Sequence, residues 1–319
     1  MPSADAEIAK LQNLLVYCLR HEIGLSNSKS RLVAAQFVTL DEFLEVSVEA
    51  LSEIRSITGR RMLLLTPDQL EAIEQFRSSN ILKLTRSVPE NLLTVMARRF
   101  VFKQVRKLNK MTLTQLSPNP FLIQLLNLGT PREVVELNIY MYATRSMVTS
   151  LGYLIEDLLI NSSNNTVKSK KPWDIVKQHA DGHRSWLQVK SGPNDMDKDQ
   201  INLWGPLIAE KLISADESYI GITYGKRSTS TVTMGLFRTY LPDWEKRTLI
   251  GRELWDFISE DPAYHEKIFP LLSEAASDIL GTDSIESRIQ QCVKRVTEEF
   301  ETKYGTETDA VTKYLADIF

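Results

Sequence analysis

Three residues in the segment PWDIVKQHADGHRSWLQVK, residues 172–190, have the types and spacing for phosphoryl chemistry: Asp174, Gln188 and Lys190. Two short apolar runs, 173–178 and 185–191, flank a turn at Asp181-Gly182 and read as a β-hairpin. Side chains alternate along a strand, so Gln188 and Lys190 share a face with Trp186, while Leu187 and Val189 point away. Asp174 lies on the neighbouring strand, and cross-strand partners approach within about 5 Å. The three side chains can therefore converge on one small volume. Buried alone they would be costly, but a divalent cation and a bound phosphate would partner the aspartate and the lysine. Mg²⁺ takes oxygen ligands and binds through one or two carboxylates plus substrate phosphate. It polarises the phosphate and acidifies the attacking water. A lysine beside it can hold or deprotonate that water and offset charge on the pentavalent phosphate. This is the chemistry of phosphodiester hydrolysis. The plain alternative is a structural ion pair between Asp174 and Lys190.

The elements around the hairpin are legible. Thr130, Pro131 and Glu133 form a capping signal, and the pattern predicts a helix over 131–160. Leu137, Met141, Val148, Leu151, Ile155 and Leu159 are its expected core stripe. Arg145, Thr149, Gly152 and Glu156 follow steps of four, three and four and share one face. Residues 162–171 read as a polar loop. After the hairpin come a helix in MDKDQINLWGPLIAEKLI, strands in SYIGITYG and TVTMGLFR, and four C-terminal helices.

The hairpin resembles the PD-(D/E)XK nuclease superfamily, in which an aspartate precedes an acidic residue, any residue and a lysine on the next strand. QVKSGPNDMDKDQI is similar to a form found among type II restriction endonucleases, with glutamine in place of the acid and Ser-Gly-Pro-Asn following. TRSMVTSLGYLIEDLLI resembles the helix that precedes the strands in that group, and GRELWDFISEDPAYHEKIF its C-terminal helical region. The resemblance covers about 120–319. It implies Asp174 as main metal ligand, Gln188 at the second ligand position, Lys190 as catalytic lysine and Glu156 as a helix-borne supplement to the metal shell. Two features depart from the pattern. Trp173 separates Pro172 from Asp174, and Gln188 offers a carbonyl oxygen without charge.

Other candidates are more ordinary. His179 and His183 stand four apart around Asp181; a metal reading exists, but they fall in the turn with no cysteine near, and a solvated turn is the expectation. Asp195, Asp197 and Asp199 are accounted for by a helix N-cap, with Asn194 placed to touch DNA. Lys226 and Arg227, in the loop YGKRSTST, suit phosphates or base edges. ARRFVFKQVRKLNK carries Arg98, Arg99, Lys103, Arg106, Lys107 and Lys110 without an acid. It is either a solvated helix face or a phosphate-contacting surface.

The first third reads as helical, with start signals at Thr39 (Glu42 three later), Ser47 and Thr66-Pro67. Residues 38–62 resemble a helix-hairpin-helix element, although SITGRR holds only Gly59 of its glycine-rich turn. The chain has 319 residues, 43% hydrophobic and 25% charged, with a net charge of −3, so bulk charge does not advertise nucleic acid. Cys18 and Cys292 form no metal spacing or disulfide framework, and no apolar run or leader points to a membrane.

The expectation is an α/β protein. A restriction-endonuclease-like mixed β-sheet core flanked by helices would occupy 116–319, and an α-helical N-terminal domain 1–115. It would be a cytoplasmic, prokaryotic, Mg²⁺-dependent enzyme, with Mn²⁺ as substitute, acting on double-stranded DNA as a homodimer. A structure-directed repair or recombination nuclease and a catalytically inactive DNA-binding relative are the alternatives.

Overall fold

The computed structural model describes residues 4–54, 64–79, 81, 92–163, 165–213, 216–228, 231–307 and 309–318. The chain divides into two compact units, residues 1–102 and 103–319.

The first unit is helical in its described residues. Thr39 and Thr66 each close a capping box, with Glu42 and Gln69 respectively, and Ser47 caps Val48–Ser52. Leu14, Leu15, Leu19, Phe43, Leu51 and Ile73 are buried there. The turn SITGRR of the helix-hairpin-helix candidate and nearly all of the segment 80–91 lie outside the described residues.

The second unit carries a five-stranded sheet in the order β1 (Thr166–Lys168), β2 (Ile175–Gln178), β3 (Arg184–Lys190), β4 (Glu217–Ile222) and β5 (Thr248–Ile250). The first three strands are antiparallel and the last two join in parallel, so the sheet is mixed as expected. Helix Lys198–Ile213 connects β3 to β4, because parallel neighbours need a crossover. Trp173, Trp204, Ile208, Ile220, Ile222, Met234 and Phe237 fill a core beside the sheet. A second core lies among the helices, where Val135, Ile139, Val293, Val296 and Phe300 pack together.

Three expectations change. TVTMGLFR is not a strand: Val232–Tyr240 is a helix, started by Thr231, whose Oγ1 accepts from the Met234 amide. The β-branched start suggested a strand, but Met234, Phe237 and Leu241 recur at three and four and are buried, and that burial decides. The polar loop 162–171 contains β1. The helix Pro131–Ile160 has its expected limits, yet Met141 and Val148 are 48% and 56% exposed. Val134, Val135, Asn138, Ile139 and Ala143 face inward instead. The helix is apolar on more than one face, so its periodicity fits several stripes.

Gly251 fixes the junction after β5. Its amide donates to the Ile222 carbonyl at 2.8 Å, its φ is +57°, and a Cβ there would meet the Gly225 carbonyl oxygen at 2.5 Å. No side-chain rotation relieves a clash with backbone. Gly251→Ala is expected to lower stability by about 2–3 kcal/mol. Gly281→Ala, at φ +63° and ψ −118° with nothing within 4 Å, shares the backbone strain but meets no clash, so it should lose less stability. Thermal unfolding of the two variants measures the difference.

Candidate active site

Backbone pairing of β2 with β3 assembles the cleft. Asp174 precedes β2; its amide donates to the Leu187 carbonyl at 2.9 Å, and its Oδ2 accepts from the Val189 amide at 2.8 Å. The aspartate is thereby latched to β3 between Gln188 and Lys190. Trp173, the residue that breaks the Pro-Asp pair, is buried edge-on against Trp204 at 4.9 Å and anchors this end of the strand. The Lys190 carbonyl accepts from the Thr223 amide at 3.1 Å, which ties the end of β3 to the strand beside it.

Asp174, Gln188, Lys190 and Glu156 line one cleft of about 320 Å³, with Thr149, Gly152, Tyr153, Ser191 and Asp195. The helix face that joins Thr149, Gly152 and Glu156 is the expected one, and Arg145 is exposed nearer the start of that helix. Asn194 is exposed on the loop between Ser191 and Asp195. Asp197 caps the next helix by accepting from the Gln200 amide at 2.8 Å. Asp195 instead accepts from Ser191 Oγ and the Gly192 amide, each at 2.7 Å, and faces the cleft.

Like charges meet here. Burial pushes the Asp174 carboxyl above its ordinary range; the Val189 amide opposes this, Glu156 adds to it, and Lys190 and Lys168 counter it. Lys168 on β1 places its Nζ 2.6 Å from Glu156 Oε1, and that bond raises the lysine's own pKa. The sequence shows no sign of Lys168 as a site residue, and the helix N-cap role it offers Asp195 and Asp197 is taken by Asp197 alone. Lys168 sits on a three-residue strand inside a polar run, and nothing in its neighbours marks it.

Several basic residues proposed for DNA are engaged within the protein. Arg99 pairs with Glu22 and also reaches the His21 carbonyl and the Tyr17 hydroxyl. Arg227 clasps Glu253 through two nitrogens, at 3.0 and 2.6 Å, and donates to the Thr248 carbonyl. Lys107 donates to Ser146 and Ser150. Lys103 is half-buried; Arg106 and Lys226 are exposed.

A family model described as type II restriction endonuclease EcoO109I matches residues 84–279. The chain belongs to that family. A search of characterised proteins gives no match. The span shared with the restriction endonuclease family holds Glu156, Lys168, Asp174, Gln188, Lys190 and Asp195. Among the described residues no helix is long and apolar enough to cross a membrane.

The cleft suits a hard cation. Its oxygen donors are the carboxylates of Asp174, Glu156 and Asp195 and the side-chain oxygen of Gln188, with no sulfur or imidazole among the lining residues. A cation would also relieve the repulsion between Asp174 and Glu156.

The raised pKa of Asp174 has a sign. A carboxyl that is harder to ionise when folded contributes most to stability below its unfolded pKa, and that contribution is lost as pH rises through the folded value. Ionised Asp174 therefore burdens the metal-free protein at neutral pH. Asp174→Asn keeps an oxygen for the Val189 amide and removes the charge. In chelator it should melt higher than the parent, by about 2–4 °C if the relief is about 1 kcal/mol. The difference should vanish near pH 4, about the unfolded aspartate pKa. Equal melting temperatures at pH 7 would show that neither the burial of this charge nor its repulsion by Glu156 costs stability.

Proposed function

We propose that this member of the type II restriction endonuclease family hydrolyses phosphodiester bonds in double-stranded DNA, at a specific sequence, with Mg²⁺ in the cleft. The observation that supports the reading is the meeting of Asp174, Glu156, Gln188 and Lys190 in one cleft, from one helix and two paired strands.

In this reading Asp174 and Glu156 would hold the cation through carboxylate oxygens, and Gln188 would offer a neutral one. The ion, when bound, polarises the scissile phosphate and acidifies a water. Lys190 Nζ holds the attacking water against the phosphorus and balances the negative charge that grows on the phosphoryl oxygens. The new P–O bond forms as the opposite P–O bond breaks; the attacking water releases one proton to solvent and the departing oxygen takes one up. Lys168, which is paired with Glu156, would have to release that carboxylate for it to hold a cation. Lys226, Asn194, Arg106 and Arg145 are the exposed polar residues for contact with DNA. A homodimer would match a palindromic site and cut both strands.

Asp174→Ala and Lys190→Ala should each reduce cleavage of plasmid DNA by about 10³-fold or more while leaving duplex binding in Ca²⁺ largely intact. Discrete fragments from the parent protein, with a common sequence at their ends, establish site-specific cutting. Dependence on junctions or flaps would assign a repair role instead. Binding without cleavage in Mg²⁺ or Mn²⁺ would mean that catalysis has been lost, for which the neutral Gln188 would account.

Gln188→Glu adds a further carboxylate beside Asp174 and Glu156. It should lower the Mg²⁺ needed for half-maximal cleavage severalfold, because affinity follows ligand charge. It should also move the acid limb of the pH–rate profile upward, since another negative charge makes Asp174 harder to ionise. Mg²⁺ titrations at several pH values test both effects.

A further inference from the structure

At the opposite end of β3 from the cleft, the turn and the start of β4 bring together donors of another kind. His179 and His183 face each other across the turn, where the His179 amide donates to the His183 carbonyl at 3.0 Å. Their rings stack at 3.9 Å, 5° from parallel. Glu217 opens β4 opposite Ser185, and its Oε2 lies 3.8 Å from His183 Nε2. One donor atom from each of the three lies within 4.8 Å of the other two. All three side chains are half-buried. Ser185 Oγ, wholly buried below them, donates to Glu217 Oε2 at 3.0 Å and lies 2.8 Å from His179 Nε2, so the set is already drawn inward.

We propose that His179, His183 and Glu217 form a second metal site for a borderline divalent ion of the zinc class, which pins the β2–β3 hairpin to β4. Two imidazoles and a carboxylate suit Zn²⁺, Co²⁺ or Ni²⁺, whereas Mg²⁺ favours oxygen alone. The far nitrogen of His183 is already oriented: Nδ1 meets Asp181 Oδ1 at 2.5 Å, the carboxylate–histidine arrangement that fixes a ligand ring. Ligation by both requires one ring to turn out of the stacked position, so that the two lone pairs meet on one ion. Lys177 is the nearby cation, and Glu260 at 2.8 Å partners it.

This site is separate from the cleft. His183 precedes Gln188 by five residues, roughly 16 Å at about 3.3 Å per strand residue. Alternation also places Ser185 and Gln188 on opposite faces of the sheet. The proposal therefore stands or falls independently of the proposed function.

The full chain, stripped with chelator, is titrated with Zn²⁺ by calorimetry and with Co²⁺ by visible absorption. One ion is expected to bind in the presence of millimolar Mg²⁺, both in the parent and in Asp174→Ala. His183→Ala and Glu217→Gln should abolish or greatly weaken this binding. Asp181→Asn, a change at an exposed position, should weaken it about 10-fold or more through the lost orientation of His183. Circular dichroism confirms that each variant is folded, and Asp181→Asn serves as the deciding variant if either ligand substitution unfolds the chain. No Zn²⁺ binding by the parent, binding unchanged in the folded variants, or binding lost in Asp174→Ala but kept in His183→Ala would each overturn the proposal.

Discussion

Asp174 and Glu156 bring two carboxylates of like charge into one half-buried cleft, and the surrounding structure answers to that constraint. The repulsion is held in check by a bond from the Val189 amide, by Lys168 against Glu156 and by the nearby Lys190. These counterweights come from two strands, β3 for Val189 and Lys190 and β1 for Lys168. Burial first, and then the repulsion, keep Asp174 difficult to ionise, and a cation in the cleft would offset both. Stability given up at such a place is commonly the companion of function.

The sheet makes this possible through main-chain geometry. Asp174 bonds twice to β3, once through its backbone and once through its carboxylate, so its position relative to Gln188 and Lys190 is set by register. A slip of one residue would turn every β3 side chain to the opposite face. The same alternation that sends Gln188 toward the cleft side sends Ser185 toward His179 and Glu217. One strand thus serves two groups of polar residues, hard oxygen donors at one end and imidazoles with a carboxylate at the other.

The basic residues teach a different lesson. Arg99 and Arg227 look alike in sequence, as cations in polar surroundings, and both turn inward to carboxylates and carbonyls. Arg98 is 1% exposed. Arginine presents five donors in a fixed fork, so it is well fitted to join segments of the protein as well as to meet phosphate. A cluster of positive letters therefore says little about the surface field until the pairing is known.

The hairpin, its aspartate and lysine, the limits of the helix Pro131–Ile160 and the face carrying Glu156 were determined by sequence alone, because alternation, helical spacing and capping are local rules. The N-terminal capping boxes at Thr39 and Thr66 followed the same rules. Tertiary structure decided the rest. TVTMGLFR became a helix because Met234 and Phe237 had a core to enter, and the buried stripe of Pro131–Ile160 was chosen by its packing partners. Lys168 joined Glu156, and Glu217 joined the two histidines, across gaps of 12 residues and more than 30. Contacts of that kind depend on where strands are laid side by side, and no periodicity along the chain encodes it.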